Sequence, residues 1–221
     1  MQRWFLPLTV LTTVMFILAP IFIVQAPYES TMGLVQKIFY FHVPSALLLV
    51  LSPFVCGIAS IRFLASRTPA ADRVALAAAE LTVLFGAITL ATGPLWARKA
   101  WGVWWVWDAK LTMALLTWMI FVAYLMLRKY GGPGSERLAA GLGILGMANV
   151  PFVYKAADVW RTLHPQTSVV PTLPPVLAWV FWFAFAGFVM LYVLLLTSRV
   201  RVEAQRAEVD RLYLELEDSY S

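Results

Sequence analysis

The sequence predicts an all-α, polytopic membrane protein with six transmembrane helices and both termini on the same side of the bilayer. Three observations predict it. Apolar runs long enough to cross a bilayer recur six times along the 221 residues. Hydrophobic residues make up 61% of the chain and the mean hydropathy is +0.76, while the 13% of charged residues is about half the norm of soluble domains. The basic residues also alternate between connections, as membrane topology requires.

The first run, about 4–24, follows Arg3. Val24-Gln25-Ala26 has the small-x-small pattern of a signal-peptidase site, but a run of about twenty residues exceeds the 7–15 of a signal peptide, so it is read as a retained span. The remaining spans are expected at about 38–61, 74–94, 109–127, 138–157 and 176–198. Two connections, 62–73 and 128–137, carry Arg62, Arg67, Arg73, Arg128, Lys129 and Arg137; with Arg3 and the tail residues Arg199, Arg201, Arg206 and Arg211 they hold eleven of the seventeen basic residues. That side is expected to be cytoplasmic. The topology is then N-in/C-in, with Arg67 and the tail inside and Arg98 and Gln166 outside. Segments 25–37, 95–108 and 158–175 face outward.

Within the spans, Gly141, Gly143 and Gly146 suit close helix approach, and Pro53 and Pro151 can kink their helices. Glu80 lies about two turns from the cytoplasmic end, where snorkelling or a packing hydrogen bond competes with a functional role. Cys56 is the only cysteine, so no internal disulfide and no C-x-x-C-H haem attachment is possible; a lone mid-span thiol packs as a small hydrophobe. Residues 1–198 are expected to form one transmembrane domain. Residues 199–221 form a charged amphipathic tail, with Val202, Val209, Leu212, Tyr213, Leu216 and Tyr220 at near-helical spacing. The tail is either a solvated, frayed helix or a docking helix for a cytoplasmic partner.

The densest feature is Trp96 to Thr112, where five of the ten tryptophans, Trp96, Trp101, Trp104, Trp105 and Trp107, fall within twelve residues beside Asp108 and Lys110. An interfacial belt usually takes one or two aromatics per helix end. If this stretch is helical, Trp101, Trp104, Trp105 and Asp108 share one face, which suits a large flat apolar ligand. Only two histidines exist, His42 and His164, and both map to the outer side. An imidazole in such a place is often only a satisfied interfacial residue. Asp108 is open to two readings, a group that positions an indole N–H or a partner protein, or the N-cap of the fourth helix.

The word W-G-x-W-W-x-W-D-x-K-L-T strongly resembles the "WWD" signature of haem-handling proteins of cytochrome c biogenesis. Chain length and six spans are most similar to the cytochrome c maturation protein C (CcmC), or haem exporter protein C, family. The words K-x-F-Y-F-H-V-P at 37–44 and W-R-T-L-H-P at 160–165 look like that family's two histidine motifs. The resemblance implies that His42 and His164 ligate a non-covalent b-type haem from opposite sides, while Trp101, Trp104, Trp105 and Trp107 hold the macrocycle edge near Asp108. A porphyrin offers an apolar disc and two carboxylates, and the outer face supplies cations in Lys37, Arg98, Lys99, Lys110, Lys155 and Arg161. The sequence departs from the family in having Lys37 and Lys110 where arginine is expected, which keeps the charge but loses the bidentate fork.

The resemblance further implies a site facing the periplasm or cell exterior of a bacterial plasma (inner) membrane. It implies as partners a haem chaperone on the outer face, an ABC-type ATPase with its membrane subunit, and a small single-span accessory protein. No Walker motif, nucleophile–base pair or zinc spacing occurs in the sequence, so the chain is expected not to be an enzyme and any ATP hydrolysis falls to a separate subunit. The net charge of +5 is spread between apolar runs rather than gathered into a nucleic-acid-binding patch. Two rival classes are a b-type cytochrome oxidoreductase subunit, in which haem stays and shuttles electrons, and a small-molecule permease whose tryptophans line an entrance.

Overall fold

The computed structural model describes residues 3–28, 33–165 and 169–220; Gln166, assigned above to the outer face, lies outside them. Among the described residues there are six long helices and no strand: α1 (Phe5–Gln25), α2 (Phe39–Ser66), α3 (Pro69–Trp101), α4 (Ala109–Tyr130), α5 (Ser135–Val159) and α6 (Pro175–Tyr220), with a 3₁₀ turn (Leu34–Ile38) leading into α2. All six are long and apolar enough to cross a membrane. A bilayer offers no partner to backbone N–H and C=O groups, and a helix satisfies them within itself.

The α2–α3 hairpin is the centre of the bundle. The α4–α5 hairpin packs on one flank, and the α1–α6 pair packs on the other. Lipid tails give no hydrophobic drive between helices, so close approach through small residues has to do the work. Ala75, Ala77, Ala78 and Ala79 supply it on α3, all at most 1% exposed. On α5 a methyl group at Gly143 would meet Ser60 Oγ and Cys56 Sγ of α2, and one at Gly146 would strike the ring of Phe121 on α4. Gly141 faces open space, so the expectation of close approach there is not met. Gly146→Val is therefore expected to destabilise the bundle by about 1–3 kcal/mol, with Gly141→Val near neutral. Thermal or SDS denaturation of the two variants in micelles checks this, and equal stability would contradict the packing.

The helices run further than hydropathy alone suggests. α3 covers 33 residues, about 50 Å at 1.5 Å per residue, against a hydrocarbon core of about 30 Å. It passes through Pro94, whose missing N–H leaves one carbonyl without its usual donor, and stops at Trp101 because Gly102 turns left-handed at φ 78. α6 continues unbroken through residue 198 into the charged tail. Arg206–Glu203 and Arg211–Glu208 pairs at i,i+3 spacing lace its surface, so the tail is a continuation of the last span.

Charged side chains near the tail end of the bundle are paired between helices. Glu80 of α3 accepts from Arg199 of α6 at 2.5 and 2.7 Å, which gives the in-span carboxylate a structural partner. Asp72 of α3 pairs in the same bidentate way with Arg128 of α4. At the opposite end lies an aromatic cluster in which Phe39 packs against Trp96 and Phe181 at ring-centroid distances of 6.1 and 5.1 Å. This cluster backs the candidate site.

Candidate haem-binding cavity

At that end of the bundle a mostly apolar cavity of about 380 Å³ opens between the faces of α2 and α3, the adjacent ends of α4 and α5, and Trp182 of α6. Its volume falls in the range typical of small-molecule sites. Two connections roof it: the 102–108 segment through Trp104 and Trp105, and the α5–α6 connection through His164, Pro165 and residues 169–171. The cavity reaches Val50, eight residues past His42 on α2 and so about 12 Å deeper into the span. Its walls there are aliphatic, and the polar groups gather at the mouth.

Both histidines line it. His42 sits in the first turns of α2, is buried at 6% exposure and meets Trp96 edge-to-face at 5.6 Å. Its Nδ1 lies 2.9 Å from the Thr92 hydroxyl on α3. That hydroxyl gives its own proton to the Ile88 carbonyl at 2.7 Å. His164 sits on the roof, where Nδ1 lies 2.8 Å from the Pro165 carbonyl. A carbonyl cannot donate, so His164 carries its proton on Nδ1 and leaves the Nε2 lone pair unused. Burial is the main cause holding the His164 imidazole below its ordinary pKa, with the Lys110 ammonium adding to it and the Pro165 and Asp108 oxygens opposing. A neutral imidazole is the metal-ligating form.

The tryptophan-rich stretch is not a helix between residues 102 and 108, so the shared helical face expected for Trp101, Trp104, Trp105 and Asp108 does not exist. The loop nevertheless brings Trp101, Trp104 and Trp105 to the cavity together with Trp96. Trp107 is not in its wall; it is 76% exposed and braces Trp105 edge-on at 5.7 Å. The Trp105 indole N–H is buried with no hydrogen-bond partner among the described residues. An unpaired buried donor is costly, and this one belongs to a residue of the cavity wall.

The N-cap reading of Asp108 is met, and its second oxygen goes to a hydroxyl and not to an indole. Its Oδ1 accepts from Leu111 N–H at 2.8 Å, capping α4, and its Oδ2 accepts from the Thr162 hydroxyl. Thr162 Oγ1 in turn accepts the His164 backbone N–H at 3.0 Å. The cap of α4 is therefore also the tether of the His164 loop.

The expected cations divide. Lys110 lines the cavity and spends one of its three N–H donors on the Val153 carbonyl at 2.7 Å. Lys37 is not in the cavity wall: it caps the end of α1 by donating to the Ile23 carbonyl at 2.7 Å and to the Ala26 carbonyl, with Tyr28 beneath it. Arg98 turns back to the Gly102 carbonyl and Lys155 pairs with Asp158. Thr92 and Trp182 belong to the site or its support and escaped the sequence reading. Only Thr92 left a trace, as a hydroxyl one turn before Trp96 beside the Gly93-Pro94 pair.

The donor set fits a haem. Two Nδ1-anchored imidazoles, apolar and aromatic walls and one cation line the same cavity, the groups that a flat apolar disc with acidic edges calls for. No group of three or more His, Cys, Asp or Glu side chains that could hold a bare metal ion occurs among the described residues.

Comparison with known proteins points the same way. A family model described as "Heme exporter protein C" matches residues 1–215. The Heme exporter protein C of Bradyrhizobium diazoefficiens is 38% identical over 147 residues, covering 66% of this chain and 56% of that protein. A ccmC-like mitochondrial protein of Marchantia polymorpha is 32% identical over 144 residues, 65% of this chain and 61% of its own length. The Heme exporter protein C of Escherichia coli K12 is 30% identical over 205 residues, covering 86% of this chain and 80% of that protein. The alignments thus span little more than half the length of the first two relatives.

Proposed function

The chain belongs to the Heme exporter protein C family, and from that premise we propose that it holds haem as cargo in this cavity and presents it to a haem chaperone on the outer face of the bacterial inner membrane. The observation that carries the reading is the pair of histidines in one apolar cavity, with His164 fixed on Nδ1 and His42 anchored through the same nitrogen. His42 and His164 are the proposed axial ligands, and the bound group is a non-covalent b-type haem. Trp101, Trp104 and Trp105 supply flat apolar contact, with Trp107 bracing Trp105. Lys110 is the donor proposed for a haem carboxylate. Lys37 is assigned to the end of α1 and not to the haem.

In this reading the chain is a delivery subunit and not an enzyme. Its proposed partners are the chaperone, an ABC-type ATPase with its membrane subunit, and a small single-span accessory protein. Haem-stripped, purified protein titrated with haem is expected to give one saturable, six-coordinate low-spin spectrum; unsaturable uptake with the spectrum of aggregated haem would remove the reading.

Presentation at the outer face requires the proposed N-in/C-in orientation, which the basic residues support. A cysteine at exposed Arg98 is expected to react with an impermeant thiol reagent in intact cells, and one at exposed Arg67 only after permeabilisation. The reverse labelling would turn the site to the cytoplasm.

A further inference from the structure

The geometry points to Thr92 as a positioning residue that fixes the His42 ring in its Nδ1–H tautomer and so keeps Nε2 free as the iron-binding nitrogen. The inference rests on the haem reading above for its purpose, but its structural content concerns the protein without haem.

Three groups share two protons here. Thr92 Oγ1 lies 2.9 Å from His42 Nδ1 and 2.7 Å from the Ile88 carbonyl. The carbonyl can only accept, so both contacts are satisfied together only when the hydroxyl donates to Ile88 and accepts the Nδ1–H of His42. The opposite arrangement, with Nδ1 accepting, takes the hydroxyl proton away from Ile88 and moves the ring proton to Nε2. That would remove the lone pair a metal needs.

The ring has little freedom to escape the choice. Trp96 stands edge-on to it at 5.6 Å, and a methyl group added to Gly93 would come within 3.3 Å of His42 Cε1. Thr92, Gly93 and Trp96 occupy one stretch of α3, so a single helix surface sets both the position and the tautomer of the ligand. His164 reaches the same tautomer by a local route, through the next residue's carbonyl. The two ligands therefore differ in kind: one is fixed from a neighbouring helix by a hydroxyl, the other within its own loop.

Because His42 and His164 are the only two histidines, ¹⁵N-histidine labelling of the full chain in nanodiscs gives just two ring systems. In haem-free protein both are expected to show a protonated Nδ1 and a bare Nε2. In Thr92→Val, which keeps the shape and loses the hydroxyl, the His42 signals are expected to move toward the Nε2–H or a mixed form while those of His164 stay. Loaded Thr92→Val should release haem to apomyoglobin about tenfold faster or more, the usual scale for losing a ligand's supporting hydrogen bond, and Thr92→Ser should restore both readouts. Thr92→Ala serves if the valine variant folds poorly, with the same expectation.

An Nε2–H tautomer at His42 in the wild type, or unchanged His42 signals in both the valine and alanine variants, would overturn the assignment whether or not haem binds. Release that accelerates equally in the serine variant would also overturn it. Failure of the haem reading looks different: the tautomer would respond to Thr92 as described, yet His42→Ala would leave haem binding untouched.

Discussion

Replacing both His42 and His164 with alanine is expected to abolish stable haem binding, while either single replacement leaves weakened, five-coordinate or water-ligated haem. These are the chain's only imidazoles and both line the cavity. Among the described residues the cavity wall holds no thiol or thioether: Cys56 is fully buried deep in α2, touching Ser60, and the phenol of Tyr154 is the remaining candidate oxygen ligand in the wall. The fold should survive, because His42 contributes one hydrogen bond to the bundle and His164 lies in a connection outside the helices. Absorption and electron paramagnetic spectra of the purified variants read the outcome. A six-coordinate low-spin spectrum retained by the double variant would exclude the pair as ligands.

The second large effect is expected at Asp108. Its removal in Asp108→Ala loses the α4 cap, worth about 0.5–2 kcal/mol, and unties Thr162 and with it the His164 loop. Haem retention is expected to fall by about 10–100-fold, the scale of losing support behind a metal ligand. Asp108→Asn keeps one acceptor oxygen, enough to cap α4, but puts an NH2 where Oδ2 accepts from Thr162, so it should keep the stability of the cap and lose haem retention about as Thr162→Val does. Thr162→Val breaks only the tether and should reproduce most of the alanine defect with little loss of thermal stability. Were Thr162→Val to hold haem as well as wild type while the alanine variant lost it, the cap of α4 and not the tether would be what matters.

What the sequence made legible followed from terms that act locally. Apolar run length located all six spans, because a bilayer demands about twenty apolar residues in succession wherever it is crossed. Residue type singled out His42, His164, Trp101, Trp104, Trp105 and Lys110, which the structure does bring to one cavity. Boundaries were less legible. α3 was expected to end near residue 94 and runs to Trp101, since Pro94 removes only one hydrogen bond and tertiary packing of Trp96 and Ala97, both buried, carries the helix past it.

Contacts across the bundle were not legible at all. The support of His42 by Thr92 spans fifty positions, and nothing in the periodicity of α3 marks that hydroxyl as different from Thr82 or Thr89, which simply bond back to their own helix. Lys37 shows the same limit from the other side. Its place in a histidine motif suggested the haem, but the unpaired carbonyls at the end of α1 were nearer. The Glu80–Arg199 pair likewise joins residues 119 positions apart, and it turned an ambiguous in-span carboxylate into a link between α3 and α6.

The central claim is that haem is held here in order to be passed on, and the most direct measurement is an absorption spectrum followed through transfer. Purified protein loaded with haem is mixed with a tagged outer-face haem chaperone, and the two are separated again. The expected result is a Soret band that leaves this protein and reappears with the chaperone, in proportion to the chaperone added. A band that stays with this protein through repeated reduction and reoxidation, with none recovered on the chaperone, would contradict delivery and identify a resident electron-carrying haem instead.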